Sequence, residues 1–467
     1  MHGNLGKNQQ RPRVIRKSRS SSWRSLVLIA SSISCAHFAL SAYDRPVSWS
    51  DISAIDVRPV LKTSYASPGN LYEAQFPPSA FDIALTDADQ RISRGFSIEP
   101  GMRDTVAFWL RVYAEFSSRQ IVIYDERHPE IVYEVVDLRE IERKARNRMV
   151  YEIMAEAKVK KTLREYRAAF AQLSRKVKPT VLSETHKKIL SAIQKTKHRH
   201  PMPLYASNLR SQTGQRDSII KGLLAAETFF PQMERIFADY GVPPEITRLS
   251  LVESSFNLRA ISRVGATGVW QFMPDSAREY MTINPYAQID ERLSPLKSSA
   301  AAAKLLKRGH RMLNHWSLAI TSYHNGYRGL TKIAQQAKRG QDPFSFLSLC
   351  GGQRSSIGWA SRNYYASFLA VLHAESYRDL FYGDAPKPQV RAVTFQRLLR
   401  SRTGLQLTKD FSIPLQEFRF YNPDIRNMST TLPRGFWIAL PGGSQDDLTG
   451  ILAKRDSRKG KSRADSG

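Results

Sequence analysis

"FFPQMERIFADYGVPPEITRLSLVESSF", residues 229–256, reads as two amphipathic helices joined by a tight stop. Phe230, Met233, Phe237 and Tyr240 fall on one stripe at helical spacing. Gly241 ends the first helix. Pro243 and Pro244 open the second, where a missing N–H costs little. On that second helix Ile246, Leu249 and Glu253 fall at i, i+3 and i+7, and Val252 and Phe256 extend the same side. A carboxylate therefore sits on a stripe that points at a core, near a helix C-terminus. Desolvation and the negative end of the helix dipole both disfavour its ionised form. A carboxyl group kept neutral near neutral pH can act as a general acid. On period alone, a structural Glu held by a hydrogen bond is the favoured reading.

The surrounding chain, from Gln212 to about Ser376, is dense in the same helical pattern and poor in strand signals. "SPLKSSAAAAKLLKRGHRML" (294–313), "NHWSLAITSYHNG" (314–326) and "ASRNYYASFLAVLHAE" (360–375) each predict a helix. Between them, "SRVGATGVWQFMPDSAREY" (262–280) has Gly265 and Gly268 bracketing a turn, followed by Trp270, Gln271, Phe272 and Met273. Such a turn allows backbone to approach a ligand, with Trp and Met as apolar surface and Gln as paired donor and acceptor. Sugar rings present the same mixture of apolar faces and hydroxyl edges.

Earlier in the chain, "MRDTVAFWLRVYAEF" (102–116) spaces Val106, Trp109, Leu110 and Tyr113 along one helical face. "QIVIYDERHPEIVYEVVDL" (120–138) reads as two strands around a polar turn. A long basic helix is expected from about Glu140 to Lys176, its Glu residues interspersed with Lys and Arg as on a solvated face. "KTKHRHPMP" (195–203) reads as a linker, since Pro201 and Pro203 disfavour a continuing helix. His198 and His200 lack a third ligand nearby in sequence and read as part of a basic run rather than a metal site. "LQEFRFYNPDIRNMSTTLPRGFWIALPGG" (415–443) is helix-like and ends on a short apolar strand, and the polar tail after Gly443 is expected to be disordered.

Bulk properties set the compartment. With 70 Lys and Arg against 42 Asp and Glu, the formal net charge is +28, which implies polyanionic surroundings. "RPRVIRKSRSSSWR" (11–24) followed by the apolar "SLVLIASSISCAHFALSA" (25–42) matches an export signal or an N-terminal anchor, with lipidation at Cys35 as the minority reading. No later stretch is long and apolar enough to cross a bilayer. Cys35 and Cys350 are the two thiols. If the signal is removed, one remains and no intramolecular disulfide forms. An export signal and the lack of a nucleic-acid-binding motif argue against a nucleic-acid partner.

"ESSF" (253–256), "GATGVWQFMP" (265–274) and "AITSYHNG" (319–326) occur in order, supported by "SQTGQRD", "IDERLSP" and "FLAVLHAE". Together they resemble the SLT-type lytic transglycosylase catalytic domain, and within that family most resemble the membrane-bound lytic murein transglycosylase D type. The resemblance implies a mainly α fold, with a lysozyme-like helical catalytic domain at 212–380. It leaves 1–42 as signal peptide or anchor and 43–211 as a basic α+β region with a β-hairpin and long helices. A LysM-like glycan-binding module follows at 390–443, and the tail occupies 444–467. The expected first strand and Gly-Asp turn of that module are not legible in "VRAVTFQRLLRSRTGLQLTKD" (390–410), so it reads as degenerate.

The resemblance makes Glu253 the single catalytic acid and then base, cleaving the MurNAc-GlcNAc β-1,4 bond of peptidoglycan. The MurNAc 6-hydroxyl is the nucleophile, so 1,6-anhydro ends form without metal or cofactor. Ser254 would polarise the substrate or hold the Glu, and Gln271 and Met273 would contact glycan. Tyr323 would hydrogen-bond the catalytic carboxyl, and Tyr365 is taken as the later cleft tyrosine, with Tyr364 as packing. The family commonly has Asn directly after the motif Tyr, whereas this chain reads Tyr323-His324-Asn325-Gly326. Either His324 takes the place of the Asn, or Asn325 does so with a local shift. Asp290 and Glu291 are expected to fix a loop. The implied location is the periplasm of a Gram-negative bacterium, with membrane contact through the anchor or a lipid. A goose-type-lysozyme-like muramidase and a non-catalytic wall-binding protein stand as the alternatives.

Overall fold

The computed structural model describes residues 76–77, 79–175, 181–197, 199–326, 330–331, 335, 346, 359–383 and 393–441, without the side chains of Asn325 and 359–362. The segment 1–42 with Cys35, His198, Cys350 and the tail after 443 lie outside these residues. Among the described residues, no helix is long and apolar enough to cross a membrane.

Helix α1 (Arg103–Ala114) buries Val106, Trp109, Leu110 and Tyr113, the face expected from their spacing. It leads into strands β1 (Gln120–Asp125) and β2 (Val132–Asp137), an antiparallel hairpin with Val122 opposite Val135. The expected long helix is broken. A short helix at Arg139–Lys144 stops, and α2 (Arg148–Leu173) restarts after Asn147, which lies extended and accepts the Val150 N–H at 3.0 Å. Asn suits this position because its side chain satisfies a donor that a helix start leaves open. Helix α3 (Glu184–Gln194) follows, and the expected linker ends at residue 201, where a short helix Met202–Asn208 begins. His200 there faces His128 of the hairpin turn, ring nitrogen to ring nitrogen at 2.9 Å.

Strand β3 (Leu209–Thr213) adds to the hairpin, giving the sheet order β2-β1-β3. The central strand β1 is covered on both faces. Ile121 and Ile123 enter one core with α2 and α3, while Val122 and Tyr124 enter the main core. Period-2 alternation thus serves two cores at once, which is why β1 reads as a continuous apolar run.

The main core continues past residue 212 into α4 (Arg216–Asp239), α5 (Leu249–Ser254), α6 (Pro295–Leu313), α7 (Trp316–Asn325) and α8 (Trp359–Ser376). The border drawn at 211/212 does not divide it. Trp109 of α1 donates to Asn363 of α8 at 2.9 Å, and the buried Arg216 donates to the carbonyls of Ala114 and Phe381. At the C-terminal end, β4 (Val393–Arg397), α9 (Gly404–Asp410), α10 (Leu415–Tyr421) and β5 (Trp437–Pro441) form a strand–helix–helix–strand unit, with β4 and β5 antiparallel. β4 lies within 390–410, a stretch in which no strand was legible.

Candidate active site

Glu253 is positioned by a change of helix type. Pro244–Arg248 forms a 3₁₀ turn, and α5 follows for only six residues. The stripe Ile246, Leu249, Glu253 is buried as expected, but over two helical segments rather than one. Phe256 lies past the helix end. Ser255 and Phe256 both take left-handed conformations, with φ of 48° and 55°, and Phe256 N–H reaches back to the Ser250 carbonyl at 3.3 Å. Two non-glycine residues in this region are unfavourable by about 1–2 kcal/mol each. Packing holds them there. Phe256 lies between Phe229 and Phe230, and the Ser255 carbonyl presses on Gly222 of α4, where a Cβ would stand 2.0 Å away.

The Glu253 side chain is 8% exposed. Burial raises its pKa from 4.5 to about 7, even though a hydrogen bond from Tyr364 acts in the opposite sense. The Tyr364 hydroxyl donates to Glu253 Oε1. Burial and the neighbouring Glu253 hold the Tyr364 hydroxyl well above its ordinary pKa, so it remains a donor. Tyr113 of α1 and Tyr323 of α7 are raised too, first by burial and then, less strongly, by Glu253. Three tyrosines therefore surround one carboxyl group that is half protonated near pH 7, a value suited to giving a proton and then taking one.

The hydroxyl on Glu253 belongs to Tyr364, expected as packing, and not to Tyr323, from which that hydrogen bond was expected. Tyr323 donates instead to the Trp270 carbonyl at 2.8 Å. Tyr365 lies away from the carboxyl, its ring against Phe346 and Phe368. Both adjacent tyrosines are equally buried because α8 is covered on every side from residue 363 to 374. Periodicity has no exposed face there by which to choose between them. His324 stacks on Tyr364 with centroids 4.9 Å apart, and burial lowers its pKa below 6.5. The Asn325 side chain lies outside the described residues.

The loop 265–272 is tied down carbonyl by carbonyl. Ser254 Oγ donates to Val269 O at 3.1 Å, Tyr323 to Trp270 O, and Arg292 to Gly265 O and Phe272 O at 2.9 and 3.1 Å. Ser254 thus holds the loop rather than Glu253. The close approach expected at a glycine is to protein: a Cβ on Gly268, whose φ is +79°, would stand 1.9 Å from the Arg292 carbonyl. Trp270 is core, stacked on Phe237 and donating to Ser299 Oγ at 2.8 Å, so it offers no surface to a sugar. Gln271, with φ of 47°, folds its amide nitrogen back to the Gly268 carbonyl, and Met273 is 41% exposed. Asp290 and Glu291 are loop-fixing: Asp290 grips Arg292 through two contacts of 2.9 and 2.8 Å, and Glu291 accepts from the Thr282 N–H.

Residues 235–344 match the family described as Transglycosylase SLT domain. Membrane-bound lytic murein transglycosylase D of Escherichia coli (strain K12) is 29% identical over 109 residues, covering 23% of this chain and 24% of the relative. The protein of the same name from Escherichia coli O6:H1 has the same identity and coverage. A protein of Alteromonas sp. (strain M-1), provisionally named as a tributyltin chloride resistance protein, is 25% identical over 28% of this chain and 68% of its own length. The chain spans about a quarter of the length of the two murein transglycosylases it matches. The matched stretch includes Glu253, Gln271, Met273, Tyr323 and His324. It stops short of Tyr364 and begins after Tyr113. The fold is mainly α, with a lysozyme-like helical domain.

Proposed function

We propose that this chain is a lytic transglycosylase of peptidoglycan, cleaving the MurNAc-GlcNAc β-1,4 bond to leave 1,6-anhydro-MurNAc ends. The observation that carries this reading is the buried Glu253 carboxyl, raised to about 7 and held by the Tyr364 hydroxyl. In its neutral form it would protonate the glycosidic oxygen. In its ionised form, stabilised by Tyr364, it would take the proton of the MurNAc 6-hydroxyl as that oxygen attacks the anomeric carbon. One carboxyl suffices because the substrate brings its own nucleophile. Two-carboxylate glycosidases set a second acid at a defined separation, which this reading does not require.

Gln271 and Met273 would meet the glycan. Gln271 Oε1 is buried without a hydrogen-bond partner among the described residues, and it would accept from a sugar N–H or O–H if the loop opens toward the glycan. Tyr323 and Ser254 act as positioning residues for the loop that carries Gln271 and Met273, and His324 fixes the Tyr364 ring. The C-terminal strand–helix–helix–strand unit is consistent with a LysM-like glycan-binding module. The basic chain suits a wall rich in acidic groups, and the N-terminal leader and the names of the relatives support an envelope location, with the membrane reached through an anchor or a lipid on Cys35. Mass spectrometry of digested murein tests the reading. Anhydro ends, lighter than hydrolysed ends by one water, are expected; reducing ends alone would make the enzyme a muramidase.

A further inference from the structure

The segment 288–292 has two sides. One faces the C-terminal unit: Asp290 N–H donates to the Asp424 carbonyl at 2.9 Å, Arg426 N–H donates to the Gln288 carbonyl at 2.9 Å, and Ile289 bridges Ile425. The other faces the loop 265–272, through Arg292 and its hydrogen bonds to Gly265 O and Phe272 O. Directly behind it, Lys297 in the first turn of α6 donates to Asp424 Oδ2 at 2.6 Å and to the Trp437 carbonyl at 2.9 Å. Its ammonium also lies 3.5 Å from Glu291 Oε1 and over the Phe436 ring. Asp424, Glu291 and Lys297 are all buried.

We infer that Asp424, through Lys297 and the 288–292 strap, is a positioning residue that sets the glycan-facing loop 265–273 from the C-terminal unit. A flexibly tethered binding module would need neither a buried cation shared between two acids nor a strap hydrogen-bonded on both sides. Neutralising Asp424 removes the shorter of the two carboxylate contacts that hold the Lys297 ammonium, leaving its charge to Glu291, so the cation and its neighbours must shift. Here the neighbours are Glu291 and Asp290, and through Arg292 the two carbonyls that bracket Gln271. The C-terminal unit then contributes to substrate placement even if it touches no glycan itself.

The effect on substrate rests on the lytic transglycosylase reading, whereas the effect on the loop does not. Hydrogen exchange of the full-length chain reads the loop directly at the amides of Gly268, Gln271 and Phe272, which are hydrogen-bonded to Ala260 O, Gly268 O and Thr267 O. In Asp424→Asn, exchange at these amides is expected to quicken about tenfold or more, because local opening becomes easier. Murein digestion should show KM raised about tenfold and kcat within about twofold of wild type, the pattern of lost binding rather than lost chemistry. Asp424→Glu should restore both in part. If Asp424→Asn does not fold, Phe436→Leu loosens the same junction more gently and is expected to show the same two signs. Faster exchange confined to 393–441, with 265–273 unchanged, would overturn the inference, as would a fall in kcat at constant KM. A wild-type chain that releases no anhydro product sinks the functional reading and leaves the exchange result to stand or fall by itself.

Discussion

Replacing Glu253 by Gln should abolish activity and at the same time stabilise the protein, and the gain should depend on pH. In the unfolded chain the carboxyl ionises around its ordinary 4.5, whereas in the fold it ionises at about 7. Between these values the folded state binds the extra proton, so stability falls as pH rises through this window. The shift corresponds to about 3 kcal/mol, absent below the unfolded pKa and complete above the folded one. Gln carries no charge to bury, and its side-chain oxygen can still accept the Tyr364 hydroxyl. Urea unfolding of wild type and Glu253→Gln at a series of pH values isolates this term, because other titrating groups cancel in the difference. The variant's advantage is expected to grow by about 3 kcal/mol from pH 4 to pH 8. A difference that stays flat across that range, or grows as pH falls, would refute the claim that Glu253 is held neutral by burial.

Tyr364→Phe removes the hydrogen bond that lowers the Glu253 pKa, so the alkaline fall-off of murein digestion should move up by about one unit or more. Tyr365→Phe should leave it in place, and the reverse pattern would put the hydrogen bond on Tyr365 instead. The His324 imidazole should titrate below 6.5 by NMR, since burial disfavours its charged form, and His324→Gln should not move the alkaline limb. A midpoint above 6.5 would count against the buried stack on Tyr364. Gly265→Ala meets open space and only a φ of +87°, so it should cost about 1–2 kcal/mol. Gly268→Ala runs into the Arg292 carbonyl and should lower the melting temperature far more. Equal losses in the two variants would show that backbone angle, not contact, requires glycine at 268.

Much of this site is legible as sequence because its determinants are local. The amphipathic spacing around Leu249 places Glu253 on a buried face, and Gly265 and Gly268 mark a turn that does take positive φ. What sequence could not show was which groups the fold brings onto that carboxyl. Tyr364 is 111 residues away along the chain, on a helix buried all round, and spacing carries no preference between it and Tyr365. Tyr113 was visible as core-facing, yet nothing local says that its face lies against α8. Trp270 shows the converse error. Its type and neighbourhood suggest a sugar platform, but its indole is taken up by Phe237 and Ser299. The strand β4 escaped notice because one five-residue strand with a partner 40 residues downstream has no turn signal beside it.

The same geometry shows why the motif-bearing stretch is not by itself the site. A carboxyl group rises to about 7 only if water is kept from it, and Tyr364, whose hydroxyl sits on this one, lies outside 235–344. Gly222 lets the left-handed turn after Glu253 close against α4. Tyr364 covers Oε1 from α8, and α8 is braced by Trp109 of α1 through Asn363. Water admitted at Gly222 or through a loosened α8 would weaken the desolvation that raises Glu253, and its pKa would fall toward 4.5. The three motifs supply the carboxyl and the loop, while the helices before and after them supply part of the packing that closes over both.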